Sequence, residues 1–333
     1  MSDASALTLL RSRGRRLCKV IAAGGEIHGY DDAKTFDLTE RTFADLAALH
    51  DLLCELSERR DCCVVRAGIA DRGRTLEVRR LLHADGDYAP TLIDVPRGWL
   101  ALDVDGAEIP DYISGCAAFE MAMFVLTALG APFISAGCVA QATASAGLKT
   151  GARCRVWLTL ARPINGSEAA IWVSRLRRTL PAIDPASARP VQIVYTGAPI
   201  FENPEANPVK DRIVHLAGPP VRVPPPEALQ PPPPPPPRPM PEIGNHVAAN
   251  YARAALTNAA ARIMGAGEGS RHRTILAEAR SLRRLVDAGA VAEAHARQVI
   301  ESAAQHAGKS DDREIAGLWA WAAAHPGGGH THV

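Results

Sequence analysis

Two aspartates at the end of an apolar segment have the types and the spacing best suited to chemistry. The segment is Gly98-Trp-Leu-Ala-Leu-Asp-Val-Asp-Gly106, and its acidic pair is Asp103 and Asp105. Side chains two residues apart on a β-strand point to the same face, so both carboxylates share one side of the strand. Paired carboxylates are hard oxygen ligands of the kind that Mg²⁺ or Mn²⁺ prefers. An acidic turn after a strand is the alternative interpretation.

A basic segment and a third carboxylate follow. Residues 149–189 contain eight basic and two acidic side chains, whereas the whole chain has 37 basic and 36 acidic ones. Such a local excess of positive charge is typical of a surface that binds phosphates. At its start, a loop of small and polar residues with Ser145 and Lys149 leads Arg155 into a strand. Near its end lies Asp184, for which a plain turn residue before Pro185 is the alternative.

These residues need a sheet to position them, and the pattern of residues 1–217 predicts one. Helical spacing of apolar residues predicts helices over 42–56, 115–129 and 166–180, and short apolar or β-branched runs predict strands over 62–69, 98–104, 155–160 and 191–196. A strand entry is expected at 133–139 and a hairpin near 76–82. The alternation predicts an α+β domain, a mixed sheet with flanking helices.

Proline divides the chain. Of 26 prolines, 14 fall between Pro219 and Pro241, and such a segment favours an extended spacer over a packed element. We therefore expect a first domain over 1–217, a linker over 218–244, a small all-α domain over 245–326 and a tail over 327–333. Helices are predicted over 271–286 and 291–306, and Asp311 with Glu314 predicts a capping box for a last helix with three inward side chains, Ile315, Leu318 and Trp319.

The order of these motifs resembles the archaeo-eukaryotic primase superfamily, in its phage- and plasmid-type primase-polymerase form. Asp103 and Asp105 match the family's strand with D-x-D, and Asp184 matches its apolar-Asp motif. Arg155 stands where the family usually has a histidine that reaches the nucleotide phosphates. The helical C-terminal part is similar to a module of mobile-element primases, in which Arg271, Arg273, Arg280 and Arg284 would bind nucleic acid, with a solvated helix face as the alternative.

The resemblance implies a DNA primase that makes primers by nucleotidyl transfer. Asp103, Asp105 and Asp184 would be catalytic and would hold Mg²⁺ or Mn²⁺, while Ser145, Lys149 and Arg155 would bind the nucleotide. The implied partners are a single-stranded DNA template, nucleoside triphosphates and a separate replicative helicase.

Two other functions stay open. A haloacid-dehalogenase-type phosphatase also begins with a strand and Asp-x-Asp-Gly, but Ala107 follows here where that family has threonine. A primase-like protein that binds nucleic acid without synthesis is favoured by Arg155 in the histidine position.

Composition narrows the cellular setting. The seven cysteines include no C-x-x-C pair and predict reduced thiols in a cytoplasmic protein. The uncharged stretch 121–148 is interrupted by Gly130 and Pro132, so a buried helix and a strand are expected there and no membrane partner. No phosphate-binding G-x-x-x-x-G-K-[ST] loop is present in the sequence, which excludes that class of ATPase motor.

Overall fold

A computed structural model describes residues 3–230, 245–309 and 312–324. The chain divides into two compact units, Met1–Pro231 and Pro232–Val333. The first unit contains strands and helices and the second contains helices, so the chain is α+β with a helical C-terminal part, as predicted. No helix in the described ranges is long and apolar enough to cross a membrane.

Strands of the first unit form two four-stranded sheets and smaller ribbons, with the orders β5-β1-β4-β7 and β13-β10-β11-β9 in the larger sheets. The strands are β1 (Ala6–Arg11), β2 (Val20–Ile21), β3 (Ile27–His28), β4 (Thr35–Thr42), β5 (Cys62–Val65), β6 (Gly68–Ile69), β7 (Val78–Arg79), β8 (Leu92–Ile93), β9 (Arg97–Ala107), β10 (Cys138–Ala142), β11 (Ala152–Ile164), β12 (Ile200–Phe201) and β13 (Ile213–Leu216).

Three helices cover these sheets, and their ends have identifiable causes. They are α1 (Leu46–Ser57), α2 (Ala118–Leu129) and α3 (Gly166–Thr179). The Asp45 side chain caps α1 by accepting from the Ala48 amide at 2.8 Å, so the helix starts later than the predicted residue 42. Asn165 and Glu168 form a reciprocal capping box that begins α3.

The second sheet separates two cores. The even-numbered side chains of β9, with those of α2 and α3, form one apolar cluster. The odd-numbered Trp99 and Ala101 instead pack with α1 and β1 in another cluster. The indole of Trp99 donates to the Ala6 carbonyl at 2.8 Å and ties the two sheets together at that end. Asp103 and Asp105 continue this odd-numbered face.

Three predictions for the first unit are wrong. Residues 191–196 do not form a strand, because only Val194 makes a β-bridge, to Val64, and its neighbours in the segment have no regular secondary structure. The domain does not end at 217, because Val221 and Leu229 are buried in the core of the first unit and Val221 bridges to Leu160. Nor do residues 76–82 form a hairpin of their own, since β7 pairs with β4.

The described residues of the second unit contain α4 (Asn245–Met264), α5 (Arg271–Asp287), α6 (Glu293–His306) and α7 (Asp312–Ala324). Apolar side chains from all four helices form one cluster. Ile315, Leu318 and Trp319 are buried in it, which confirms their predicted inward placement. The predicted cap Asp311, the linker residues 231–244 and the tail 327–333 lie outside the described residues.

Candidate functional site

Strand β9 brings Asp103 and Asp105 to one face of the sheet. Their neighbours Leu102 and Val104 point to the opposite face and are fully buried in the core against α2 and α3. The acidic face is accessible, since the side chains of Asp103 and Asp105 are 34% and 69% exposed. The period-two pattern thus places both carboxylates on the side that solvent reaches.

Each carboxylate pairs with an arginine on the neighbouring strand. Arg155 of β11 lies opposite Asp103 and donates from Nη2 to Oδ2 at 2.8 Å. Arg153 lies opposite Asp105, and its Nη1 contacts Oδ1 of that aspartate. The two pairs lie in one uninterrupted register, because the register of the two strands shifts only beyond Arg153, between it and Ala152. The sequence signal for Arg153 was the R-x-R spacing that matches D-x-D, and sequence reasoning missed it.

Backbone hydrogen bonds hold the segment with Asp184 beside Asp103 and Asp105. The Asp184 amide donates to the Asp103 carbonyl at 2.8 Å, and the Asp105 amide donates to the Ala182 carbonyl at 3.1 Å. The Asp184 carboxylate accepts from the Ala186 amide at 2.9 Å, which caps the short turn Pro185–Ala188. Asp184 is therefore far from Asp103 in the sequence but adjacent to it in the fold. The Asp184 side chain itself stabilises the turn that follows it.

The carboxylates of β9 fit a divalent cation in donor type and in exposure. Hard cations take oxygen ligands, and both aspartates offer them on one accessible face. Arg153 and Arg155 would compete with such a cation, because they already neutralise both carboxylates. Within the described residues no three acidic, histidine or cysteine side chains converge to hold a metal ion. Asp184 is thus a neighbour of the pair and not a third ligand in this arrangement.

Arg155 is held in a polar network at the bottom of the acidic face. Besides Asp103, its guanidinium donates to Gln141 Oε1 at 3.3 Å and to the Tyr195 carbonyl at 2.8 Å. Gln141 also accepts from the Trp157 indole at 3.1 Å and donates to the Thr196 carbonyl at 3.1 Å. The Arg155 side chain is only 9% exposed. Its orientation is therefore set by three acceptors: Asp103, Gln141 and the Tyr195 carbonyl.

A small pocket opens next to Arg155, lined by side chains that sequence reasoning missed. Tyr30 and Tyr195 stack with ring centroids 3.4 Å apart and an interplanar angle of 5°. Lys19 and Arg212 also line the pocket. Burial raises the pKa of Tyr30 to about 12, and burial lowers the pKa of Arg212 to about 10. No sequence signal joins these residues, because they are far apart in the chain and belong to no common spacing.

Ser145 and Lys149 lie in the loop between β10 and β11. The Ser145 carbonyl accepts from the amides of Leu148 and Lys149, each at 3.1 Å, so the loop closes on itself. Ser145 is 8% exposed, whereas Lys149 is exposed. The structure does not place either side chain in the lining of the pocket, although Thr143 of the same loop contributes to it. Of the three expected nucleotide-binding residues, only Arg155 lines the pocket.

The four arginines expected to bind nucleic acid all lie on α5 of the second unit. A helix turns about 100° per residue, so Arg273, Arg280 and Arg284 share one face and Arg271 lies on the opposite one. Arg280 sits over the ring of Trp321, 5.3 Å from its centroid. Arg273 and Arg284 are exposed. The helix thus presents three of these four cations together.

Comparison of the chain with known proteins shows a weak similarity to one solved structure. No protein-family model matches the chain, and no curated protein matches it. Among solved structures it is similar to the polymerase domain of ligase D from Mycobacterium tuberculosis in complex with DNA, with 12% identity and a TM-score of 0.27 over 57% of this chain and 67% of that one. A TM-score of this size does not establish a common fold.

Proposed function

We propose that this chain is a primase-polymerase-type nucleotidyltransferase that synthesises primers on single-stranded DNA. The observation that carries the proposal is the meeting of the three motifs on one sheet. Asp103 and Asp105 share a face of β9, Asp184 is hydrogen-bonded to the same strand, and Arg155 reaches Asp103 from β11. The resemblance requires this adjacency of motifs that the sequence keeps apart, whereas a phosphatase has no use for Asp184 beside Asp103.

The reaction joins the 3′-hydroxyl oxygen of a primer to the α-phosphorus of a nucleotide, and pyrophosphate leaves. A divalent ion bound by Asp103 and Asp105 would activate the hydroxyl and neutralise the phosphates. Arg155 would share the developing negative charge of the triphosphate, because a guanidinium binds phosphate oxygens in a fixed, planar geometry. Ser145 and Lys149 would contribute from the β10–β11 loop if that loop closes over the nucleotide.

The arginines must exchange partners for this chemistry. In the present arrangement Arg155 and Arg153 neutralise the carboxylates that an incoming cation would need. A cation held by Asp103 and Asp105 would replace the guanidiniums as their partner, and Arg153 and Arg155 would then be available to the phosphates of a nucleotide. The proposed site thus contains carboxylates that would bind the metal ion and guanidiniums that would bind the nucleotide phosphates. In the present arrangement these two kinds of group pair with each other.

Incorporation of labelled nucleotides on single-stranded DNA tests the function, with Mg²⁺ or Mn²⁺ and with NTP or dNTP in separate reactions. We expect product from the wild type and none from the variant with Asp103→Ala and Asp105→Ala. A matched variant with Asp32→Ala and Asp87→Ala removes two exposed acids outside the site and should keep full synthesis. Equal synthesis by both variants would exclude the proposed site.

A second candidate is a primase-like protein that binds nucleic acid without synthesis. It is favoured by the two arginine–carboxylate pairs, because each aspartate already has a cationic partner within the protein. This candidate predicts single-stranded DNA binding without incorporation under any metal and nucleotide condition. It also predicts that the double aspartate variant binds DNA as tightly as the wild type does.

For the second unit we propose that Arg273, Arg280 and Arg284 contact template phosphates, with Trp321 as a stacking side chain for bases. A variant with Arg273→Gln and Arg284→Gln should weaken single-stranded DNA binding and reduce the slope of log affinity against log salt by roughly 1 to 2. Arg253→Gln with Arg297→Gln, two changes on other helices of the unit, is the matched control. A slope unchanged by the first variant would contradict the assignment.

A further inference from the structure

We propose that the exposed side of α2 docks an amphipathic helix of a partner protein, one whose apolar stripe is bordered by lysine or arginine. The proposal does not rest on the proposed function, because no residue on this side of α2 belongs to the acidic, loop or arginine motifs. It also accounts for a sequence feature that the candidate site does not use, the stretch 121–148 without a charged side chain.

The first argument is a comparison of the three helices that cover the sheets. A surface helix normally turns charged side chains to solvent and apolar ones to the core. The helices α1 and α3 follow this rule, and Asp51 and Arg175 are among their exposed residues. The exposed residues of α2 are instead Phe119, Met123 and Thr127, which we call the α2 face. None of the three is charged, so the outer side of α2 has the composition of a buried one.

The second argument is that the exposed apolar side chains are adjacent. Phe119 and Met123 are four residues apart, and side chains at this spacing are neighbours on a helix. They are 51% and 37% exposed, and Ile134, in the turn after the helix, is 54% exposed. Single exposed apolar side chains are common on protein surfaces, whereas adjacent ones mark interaction sites.

The α2 face cannot be hidden by rotation of the helix, because the opposite side of α2 already packs in the core. Met121, Ala122 and Val125 are fully buried there, in the cluster shared with β9 and α3. The exposed side chains are therefore held in place on a fixed helix. Such a preorganised surface binds a partner with a smaller loss of conformational entropy.

The third argument is charge, and it identifies the kind of occupant. Residues 107–148 contain three acidic side chains, Glu108, Asp111 and Glu120, and no basic one. Glu108 and Asp111 are exposed in the loop before α2. The Ser114 amide of that loop donates to Glu120 Oε2 at 2.6 Å, so the loop is tied to the first turn of the helix. An apolar face with acidic residues at one end is complementary to an apolar stripe bordered by cations.

Other occupants fit the α2 face less well. Nucleic acid and anionic lipid surfaces are bound through basic side chains, and this segment has none. A second copy of the chain would bring acids and no bases, so it gains no opposite charge. A helix matches the geometry, because Phe119, Met123 and Thr127 follow each other every four residues, and helices pack along such rows.

Binding of two defined peptides to the full chain tests the proposal. Both probes are synthetic amphipathic helices of about five turns with the same stripe of leucines. Lysines border the stripe in one peptide, and glutamates border it in the other. Fluorescence anisotropy of the labelled peptides measures both affinities. We expect the lysine peptide to bind about tenfold more tightly or better, and its affinity to fall as salt is raised, because salt screens the charged contacts.

Variants of the α2 face locate the binding. Phe119→Ser with Met123→Ser removes two exposed apolar side chains and leaves the buried side of α2 unchanged. We expect this variant to bind the lysine peptide about tenfold more weakly or worse, as is common for apolar contacts at the centre of an interface. Met123→Gln alone keeps a strong helix former and should weaken the same affinity to a smaller extent, which covers the case in which the serine variant does not fold.

Two further variants separate charge from apolar contact. Glu108→Gln with Asp111→Asn should reduce the preference for the lysine peptide over the glutamate peptide. Leu76→Ser with Tyr88→Ser removes two exposed hydrophobic side chains elsewhere in the first unit and is the matched control. It should bind the lysine peptide as the wild type does, and thermal unfolding shows which variants are folded.

Several results would overturn the proposal. If neither peptide binds, or if the control variant loses as much affinity as the α2 variant, the α2 face is not a docking site. Equal affinity for both peptides would exclude a basic partner. A dimer in sedimentation velocity that the α2 variant abolishes would make a second copy the occupant, and loss of single-stranded DNA binding by that variant would make it nucleic acid. None of these measurements uses synthesis, so failure of the docking site and failure of the proposed function are distinguishable.

Discussion

Strand β9 carries two ion pairs of the same composition in different surroundings. In one, the Arg155 and Asp103 side chains are 9% and 34% exposed. In the other, Arg153 and Asp105 are 16% and 69% exposed. Arg155 also donates to Gln141 and to the Tyr195 carbonyl, whereas Arg153 donates only to the carbonyl of Thr150, in its own loop. Because it is more buried, the Arg155–Asp103 pair contributes to the stability of the fold. The Arg153–Asp105 pair is a surface contact, which a cation can replace more easily.

The largest expected difference between the pairs is the stability of the single aspartate variants. Asp103→Ala leaves the buried Arg155 charge without its carboxylate, and we expect a loss of about 3 kcal/mol in the free energy of unfolding. Asp105→Ala should cost less than about 0.5 kcal/mol, because the exposed pair is solvated. Urea unfolding of both variants measures this difference. Equal losses would show that the two pairs do not differ in burial.

The stability of the protein at alkaline pH tests how deeply the surroundings of the Arg155–Asp103 pair are buried, because Tyr30 lies close to that pair. Burial raises the pKa of Tyr30 to about 12, from about 10 in the unfolded chain. The unfolded state therefore loses this proton first, and the stabilisation present below pH 10 is lost as the pH rises from 10 to 12.

We expect the Tyr30→Phe variant to gain about 2 kcal/mol of stability relative to the wild type between pH 9 and pH 11.5. Unfolding at both pH values measures the gain. Tyr112→Phe is the matched control, because Tyr112 is 84% exposed and its substitution should give no such pH-dependent difference. A gain equal in both variants would place Tyr30 in solvent.

A double-mutant cycle separates the pair energies from the effects of truncation. For Asp103 and Arg155 we expect a coupling of about 1.5 kcal/mol, because both charges are partly desolvated and share hydrogen bonds. For Asp105 and Arg153 we expect less than about 0.5 kcal/mol. The variants are the alanine changes of the aspartates, the leucine changes of the arginines and their combinations. A larger coupling in the exposed pair would reverse the comparison.

Salt should give the smallest effect and act mainly on the exposed pair. Raising the ionic strength from 0.1 M to 1 M shortens the screening length from about 10 Å to about 3 Å. The cost of Asp105→Ala should fall toward zero at 1 M salt, while the cost of Asp103→Ala should change by no more than a few tenths of a kcal/mol. Unfolding at the two salt concentrations distinguishes the cases.

Much of the scaffold was predictable because local patterns agree with the tertiary environment. The strand that carries Asp103, the helix that became α3 and the inward side chains of the last helix follow from apolar spacing. The strand predicted over 191–196 is wrong, because this β-branched run pairs with another strand at Val194 alone. The predicted end of the first domain was too early, because Val221 and Leu229 pack on its core although they lie in the proline-rich segment.

The candidate site divides in the same way. Period-two geometry was sufficient to place Asp103 and Asp105 on one face of a strand, because that relation lies within five residues of chain. The motif position predicted that Arg155 binds nucleotide phosphates; the structure places Arg155 in the lining of the pocket, and its binding of phosphates stays a prediction. The pairing of Arg153 with Asp105, and the arrival of Lys19, Tyr30 and Arg212 beside Arg155, did not follow from the sequence.

By itself, the sequence determined the α+β class, the helical C-terminal part and the shared face of the two aspartates, since each depends on periodicity along a short stretch. Only the tertiary structure decided which cations meet those carboxylates, because strand register is set by the packing of whole sheets. It also decided that Asp103 is the less exposed of the two aspartates, and that Lys19 and Arg212 line a pocket without an acid. Burial and partners belong to the fold as a whole, and no local spacing encodes them.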